Sequence, residues 1–205
     1  MKTITTIIFL LASASISFAQ SEPKNEVGLL LGALSTGSRE IQLPTLSKAD
    51  FGSGLTYQAN YARRIVDAKL ASLHVEVLFA ATPLVEVKSA NTLIPRDYAS
   101  LFLTPGLKLK FVPGWRVSPY IAAGGGYARF RESDFRTNNQ PNTGKIGTNT
   151  GVFNYGGGVD FRVFRYLSLR GEVRDFVTGN PNFNAPFLSN RQHNVLTSGG
   201  IVIHF

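Results

Sequence analysis

Apolar and polar residues alternate with a period of two along most of the chain. The clearest stretch, YLSLRGEVRDF (166–176), sets Leu169 and Val173 on one face and Arg170 and Glu172 on the other. A strand directs successive side chains to opposite faces, whereas a helix mixes these two sets. The chain is therefore predicted to be all-β. Seven further segments show the same alternation; they lie near 26–34, 55–61, 70–79, 101–111, 116–130, 151–163 and 193–205.

Short and long connections alternate between these eight predicted strands. The short ones lie at 64–68, 112–115 and 164–166, and the long, polar ones at 35–50, 82–97, 131–150 and 178–192. This alternation is typical of an antiparallel up-and-down transmembrane β-barrel with short periplasmic turns and longer extracellular loops. In lipid such a sheet must close, so that no backbone group is left unpaired. The third long connection is rich in Asn, Thr and Gly and is predicted to be mobile.

Aromatic residues cluster near the ends of the apolar faces, where interfacial girdles are expected in a membrane barrel. The predicted periplasmic girdle consists of Phe111, Trp115, Phe161, Phe164, Tyr166 and Phe205. The predicted outer girdle consists of Phe79, Tyr98, Phe130, Phe153 and Phe176.

The first twenty residues, MKTITTIIFLLASASISFAQ, have the composition of a secretory signal peptide. They combine one early lysine, a short apolar run and the small residues of a cleavage site. Residues 1–19 are predicted to be removed between Ala19 and Gln20, leaving one barrel domain over 20–205. The alternative is an N-terminal anchor helix, but the apolar run is too short to span a bilayer.

Composition excludes several function classes. The chain has no cysteine, which excludes disulfides, thiol catalysis and a cysteine-based zinc site. The net charge is +8, yet the basic residues stand singly or in pairs rather than in a stripe. Nucleic-acid binding requires such a stripe with interleaved aromatic residues, so no nucleic-acid partner is expected.

The chain resembles the small eight-stranded outer-membrane barrels of the OmpA transmembrane domain and OmpX group. The resemblance rests on the signal peptide, the alternating strands and loop lengths, the hairpin YGGGVDFRVFRYLSLRGEVRDF and the final strand ending in Phe205. It implies a monomer in the bacterial outer membrane, in contact with outer-membrane lipid and lipopolysaccharide. It also implies that periplasmic chaperones deliver the chain and that the barrel-assembly machinery engages the last strand through Ile201, Ile203 and Phe205. That family often has tyrosine where this chain has Ile203.

If the apolar faces meet lipid, the polar faces point into the lumen. Opposite charges packed there are expected to form a paired network, because an unpaired buried charge is very costly. The predicted lumen network contains His74, Glu76, Lys108, Asp160, Arg162, Arg170, Glu172 and Arg174. The glycine triplets at 124–126 and 156–158 are expected to leave room for these long side chains.

These features predict a non-enzymatic barrel that contributes to envelope integrity, surface interaction or a narrow pore, without catalytic residues, metal or cofactor. Ser72, His74 and Glu76 share one face, but alternate strand residues lie about 7 Å apart, beyond hydrogen-bond reach unless the side chains bend together. One alternative is a lipid-modifying enzyme resembling lipid A deacylases, although His193 lacks the serine spacing of that group. The other is a soluble lipocalin-like binding barrel.

Overall fold

Ten antiparallel strands make up the structure, which is a computed structural model. It describes residues 23–42, 46–181, 183–184 and 191–205. The strands are β1 (Asn25–Thr36), β2 (Arg39–Gln42), β3 (Leu46–Phe51), β4 (Ser53–Ala68), β5 (Ala71–Ser89), β6 (Asp97–Phe111), β7 (Val117–Glu132), β8 (Thr148–Phe164), β9 (Leu167–Gly179) and β10 (Arg191–His204). The predicted signal peptide, with its cleavage site at Ala19 and Gln20, lies outside the described residues. No helix within those ranges is long and apolar enough to cross a membrane.

Eight of these strands close into a ring. They pair in the order β1, β4, β5, β6, β7, β8, β9 and β10, and β10 returns to β1. The closing pair runs from Glu26 opposite His204 to Thr36 opposite Asn194. All eight predicted strands and the up-and-down barrel are thereby confirmed.

The connections also alternate as predicted. Residues 69–70, 112–116 and 165–166 form the short turns at one end, where β1 begins and β10 ends. The predicted turn at 64–68 is wrong in its bounds, because these residues continue β4 along β5. We call the end with the short turns the periplasmic end, as in membrane barrels generally.

The first long connection is not a loop throughout, because β2 and β3 form a hairpin within it. Phe51 of β3 pairs with Val87 of β5, which extends the sheet beyond the ring. β5 has 19 residues, whereas a strand needs about ten to cross the apolar core of a membrane. Its surplus length offers a free edge for the hairpin. Strands of four and six residues carry too little alternation to be recognised in the sequence.

A belt of exposed apolar side chains surrounds the ring. It includes Leu29, Leu31, Leu55, Val75, Val77, Leu103, Leu107, Ile121, Val159, Leu169, Val173, Val195, Ile201 and Ile203. A soluble protein rarely exposes a continuous apolar surface of this size, so the belt is the lipid-facing surface. The predicted periplasmic girdle is confirmed, with Trp115, Phe164 and Tyr166 each more than 60% exposed. The lipocalin-like alternative requires a polar exterior and is excluded by this belt.

The predicted outer girdle is wrong for three of its five aromatic residues. Phe79 and Phe153 face outward, but Tyr98, Phe130 and Phe176 are buried inside the barrel. Phe176 follows Arg174 by two positions on β9 and therefore points to the same, inward side. The period of two thus decides the direction of each side chain, and nearness to the end of a strand does not.

Candidate functional site: the filled lumen

The periplasmic half of the lumen contains an ion-pair network centred on Glu26. The carboxylate of Glu26 accepts hydrogen bonds from Lys108, from Lys110 at 3.0 Å and from Arg170 at 2.8 Å. All four side chains are buried. Glu26 and Lys110 were not among the predicted network residues. The signal for Glu26 was an acidic residue at the head of an otherwise apolar strand, on its inward face.

Asp160 joins this network from β8. Its carboxylate accepts two hydrogen bonds from Arg170, from Nε at 2.6 Å and from Nη2 at 2.8 Å. It also lies 2.6 Å from the Nζ of Lys110. The Arg170 guanidinium is thus shared between two carboxylates, a geometry for which its planar fork is suited.

A second part of the network is joined to the first by Lys108, whose Nζ lies 3.5 Å from Glu76. Arg174 donates to Glu76 at 2.7 Å and lies 3.5 Å from Glu172. Glu172 accepts further hydrogen bonds from Gln58 and Tyr120. The guanidinium of Arg170 lies 4.9 Å from the centroid of the Tyr120 ring. Gly158 makes room here as predicted, because an added Cβ would lie 2.6 Å from the Tyr120 hydroxyl.

The network is electrically balanced. Its four acids, Glu26, Glu76, Asp160 and Glu172, face four bases, Lys108, Lys110, Arg170 and Arg174, so the formal charges sum to zero. Desolvating eight charges is tolerable only when each one finds partners, so this balance is a condition for a filled lumen. Six of the eight predicted residues lie in this network.

The other two predicted residues lie at its periplasmic edge. Arg162 is half-buried and donates to the Pro113 carbonyl at 2.6 Å, away from the paired charges. His74 is buried and lies 2.9 Å from Ser72, between Nε2 and Oγ. The side chains of Ser72 and His74 therefore do bend together. His74 Nδ1 has no described hydrogen-bond partner, however, and Glu76 binds Arg174 instead.

Aromatic side chains fill the extracellular half of the lumen. Phe102 stacks on Phe176 with ring centroids 4.6 Å apart and meets Phe130 edge-on at 5.9 Å. Above them Tyr98 packs against Phe183 at 5.3 Å. These rings are buried, as are the aliphatic residues around them, Leu34, Leu78, Ile94 and Leu196. We call this cluster the aromatic layer; two chemically different layers therefore fill the barrel in series.

Beyond the aromatic layer, hydrogen bonds join the loop at 133–147, for which mobility was predicted, to its neighbours. Buried Asn142 bonds to the backbone of Asp134 and Ser133, and its Oδ1 accepts from Gly144 and Asn184. The backbone of the same loop also pairs with residues 94–96 of the neighbouring loop. Three large apolar side chains remain exposed on these two loops: Leu93, Phe135 and Ile146. We call the loops 90–96 and 133–147 the extracellular platform.

The predicted assembly residues lie on the outward face of β10. Ile201 pairs with Leu29 of β1 and with Leu169 of β9, and Ile203 pairs with Val27. The backbone of Phe205 exchanges two hydrogen bonds with Asn25, at 2.8 and 2.9 Å. The last strand therefore has partners on both sides. Its recognition by the barrel-assembly machinery stays a prediction.

Metal chemistry finds no support in the described part of the chain. There, no three histidine or acidic side chains are grouped so that they could hold a metal ion.

The architecture is that of the small eight-stranded outer-membrane β-barrels. No protein-family model matches the chain, and no curated protein is detectably similar in sequence. Solved structures do match it. Neisserial surface protein A superposes with a TM-score of 0.56 at 13% identity, covering 88% of this chain and 97% of that one. The outer membrane protein OprG from Pseudomonas aeruginosa gives 0.57 at 13% identity, covering 90% and 97%. The outer membrane protein AlkL gives 0.52 at 14% identity, covering 91% and 92%. The predicted resemblance in fold is thereby confirmed.

Removing the central carboxylate should destabilise the barrel. Glu26→Gln leaves Lys108, Lys110 and Arg170 without their shared carboxylate. Removing one partner from a buried group of paired charges lowers the free energy of unfolding by about 3–5 kcal/mol. Urea unfolding of the refolded protein in detergent measures this loss. The control is Glu86→Gln, since Glu86 is exposed on β5 and should change stability by no more than about 0.5 kcal/mol. Equal effects of the two substitutions would contradict a central role for Glu26.

Loosening the extracellular platform should expose it to protease. Asn142→Ala removes three part-buried hydrogen bonds, which should raise the rate of trypsin cleavage at Arg136 or Lys145 on intact cells about tenfold. Asn138→Ala is the matched control, because Asn138 is exposed and bonds only locally to Gln140. Rapid cleavage of the unsubstituted protein would show that the loop is mobile after all.

Proposed function

We propose that this protein is a closed, non-enzymatic barrel of the bacterial outer membrane that carries a rigid extracellular contact surface. The observation that supports this function is the filled lumen. An eight-stranded ring is only just wide enough for side chains, and here the charged layer and the aromatic layer both occupy it. Passage of a solute requires both layers to open, and opening the charged layer separates buried ion pairs. The proposal therefore favours surface interaction and envelope integrity over a pore.

The extracellular platform supports a role in contact. Its backbone and Asn142 hydrogen bonds fix its shape, and fixed surfaces bind with a smaller loss of conformational entropy. The exposed side chains of Leu93 and Phe135 offer apolar contact area, and the Arg96 guanidinium lies 5.1 Å from the Phe135 ring centroid. A rigid barrel that holds such loops above the membrane suits a partner outside the cell.

Contact with lipopolysaccharide is part of the same proposal. Arg129 and Arg131 lie on the outward face of β7 at its extracellular end, and both are exposed. Tyr127, two residues closer to the membrane, is exposed on the same face and donates to Asn149 at 2.7 Å. Tyrosine is common at the headgroup level of a membrane, and arginines further from the apolar core can bind the phosphate groups that lie there.

A second candidate function has one observation in its favour. On the outward face, His193 Nδ1 lies 2.7 Å from Asp175, which also accepts a hydrogen bond from Tyr155. A carboxylate that orients a histidine supplies two of the three members of a hydrolytic triad. Ser35 stands on the same face, opposite Val195, but among the described residues no hydrogen bond joins it to His193. Backbone N–H groups here are used by the sheet, so an oxyanion site is not available.

The purified protein should not conduct. In planar bilayers we expect no stable large open state, because both layers block the lumen. A Phe102→Ala/Phe176→Ala variant should stay closed, since the charged layer persists beneath the thinned aromatic layer. An open-channel porin reconstituted in the same way shows that the assay detects a pore. A stable open state of the unsubstituted protein would refute the proposal.

The lipid-modifying alternative predicts a chemical change in the membrane. We expect mass spectrometry to find the same lipid A and phospholipid acylation in cells with and without the protein. Loss of an acyl chain that is abolished by His193→Ala would favour the enzyme instead. An acyl loss unaffected by that substitution would point to another protein of the host.

A further inference from the structure

A cavity of about 700 Å³ opens at the periplasmic end of the barrel. Its wall is built by the start of the described chain and by all three short turns. Its floor is the charged layer, where Glu26, His74, Lys110 and His204 face it. We call this cavity the vestibule. Its volume falls within the range of small-molecule sites, roughly 300–1,000 Å³.

The wall of the vestibule is strongly basic. It contributes five cations, Lys24, Arg64, Lys69, Arg162 and Arg165, against one anion, Asp67, a net charge of +4. The floor beneath cannot offset this charge, because the buried network sums to zero. A concave site of one sign between walls of low dielectric constant concentrates ions of the opposite sign.

Four of these cations have no acidic partner in the part of the chain that the structure describes. Arg64 lies 2.7 Å from Asp67, but among the described residues no carboxylate lies within ion-pair distance of Lys24, Lys69, Arg162 or Arg165. Arg162 donates through Nη2 to the Pro113 carbonyl, which holds the guanidinium at the cavity wall. Its other N–H groups have no hydrogen-bond partner among the described residues. An arginine fixed in this way is suited to paired hydrogen bonds with a phosphate.

The floor adds a polar group without a partner. The His74 side chain is 94% buried, lines the cavity and has no hydrogen-bond partner at Nδ1 among the described residues. His204 also lines the floor, and its Nε2 lies 2.9 Å from the Oγ of Ser168. The vestibule therefore combines a basic wall with histidines at its base.

We propose that the vestibule binds a phosphate-bearing anion from the periplasmic side. The charged layer closes the far side, so the anion is bound there and does not pass through. Two sources have this chemistry: a soluble phosphorylated compound and the headgroup of an anionic lipid in the inner leaflet. The site is separate from the extracellular platform. Phosphate binding in the vestibule therefore does not depend on what the platform binds.

Equilibrium dialysis of the refolded full barrel with radiolabelled inorganic pyrophosphate tests this site. In zwitterionic detergent we expect saturable binding that weakens as salt is raised, since exposed charges are screened. Lys69→Gln/Arg162→Gln should weaken binding about tenfold or more, because charge-assisted hydrogen bonds are lost. The matched control Lys48→Gln/Lys88→Gln removes the same charge from exposed positions at the other end and should leave binding unchanged.

The single tryptophan supplies a second readout. Trp115 follows Gly114 of the vestibule wall, so its fluorescence should change along the same binding curve. Single Lys69→Gln, at an exposed position, provides a variant whose folding is not in question. Absence of saturable pyrophosphate binding, or equal weakening in both double variants, would overturn the proposal.

Nanodiscs separate the two sources of phosphate. If a lipid headgroup occupies the vestibule, pyrophosphate should bind more weakly in nanodiscs containing phosphatidylglycerol than in purely zwitterionic ones, and this difference should vanish in Lys69→Gln/Arg162→Gln. If binding is the same in both membranes, the ligand is a soluble phosphorylated compound. Conductance has no part in this test, so its result is independent of the proposed closed barrel.

Discussion

The pairing of β1 with β10 is the constraint on which the rest of the structure depends. It closes the ring of eight strands, and only a closed ring satisfies every backbone group in lipid. Glu26 lies within this closing pair, opposite His204, and its carboxylate also binds Lys108, Lys110 and Arg170. Ring closure and lumen packing therefore share one residue. If the seam opens, the central acceptor of the charged network moves away from its three cations.

Two kinds of side chain, charged and aromatic, fill the lumen of the closed ring. Near the periplasmic end, long charged side chains from opposite walls reach one another and neutralise their charges in pairs. Toward the other end the inward positions are occupied by Phe102, Phe130 and Phe176, which need no partners and pack by shape. The barrel thus has a specific, hydrogen-bonded layer and an apolar layer. The first demands exact charge balance, and the second ties the extracellular loops to the ring through Phe183.

The two ends of the barrel consequently offer different surfaces. Outside, the hydrogen bonds of buried Asn142 and the backbone bonds between the two loops hold the platform in a fixed shape with exposed apolar side chains. On the periplasmic side, short turns leave a vestibule with an excess of positive charge. The filled lumen separates these surfaces, so a ligand at one end has no direct path to the other. Binding at one surface is therefore independent of binding at the other, although the same barrel carries both.

By itself the sequence determined the eight strands of the ring, the alternation of short and long connections and, through the period of two, the two faces of each ring strand. These features are local, because a strand's period of two and the formation of a turn both depend on residues that are adjacent in the sequence. The tertiary structure alone decided which charges meet. Glu26 and Lys108 are 82 positions apart, and only the register of the closed ring brings them together. The same holds for the β2–β3 hairpin, which exists because a long β5 offers an edge, and for the vestibule, whose basic residues come from the start of the described chain, from β4 and the turn after it, and from β8 and the turn after it.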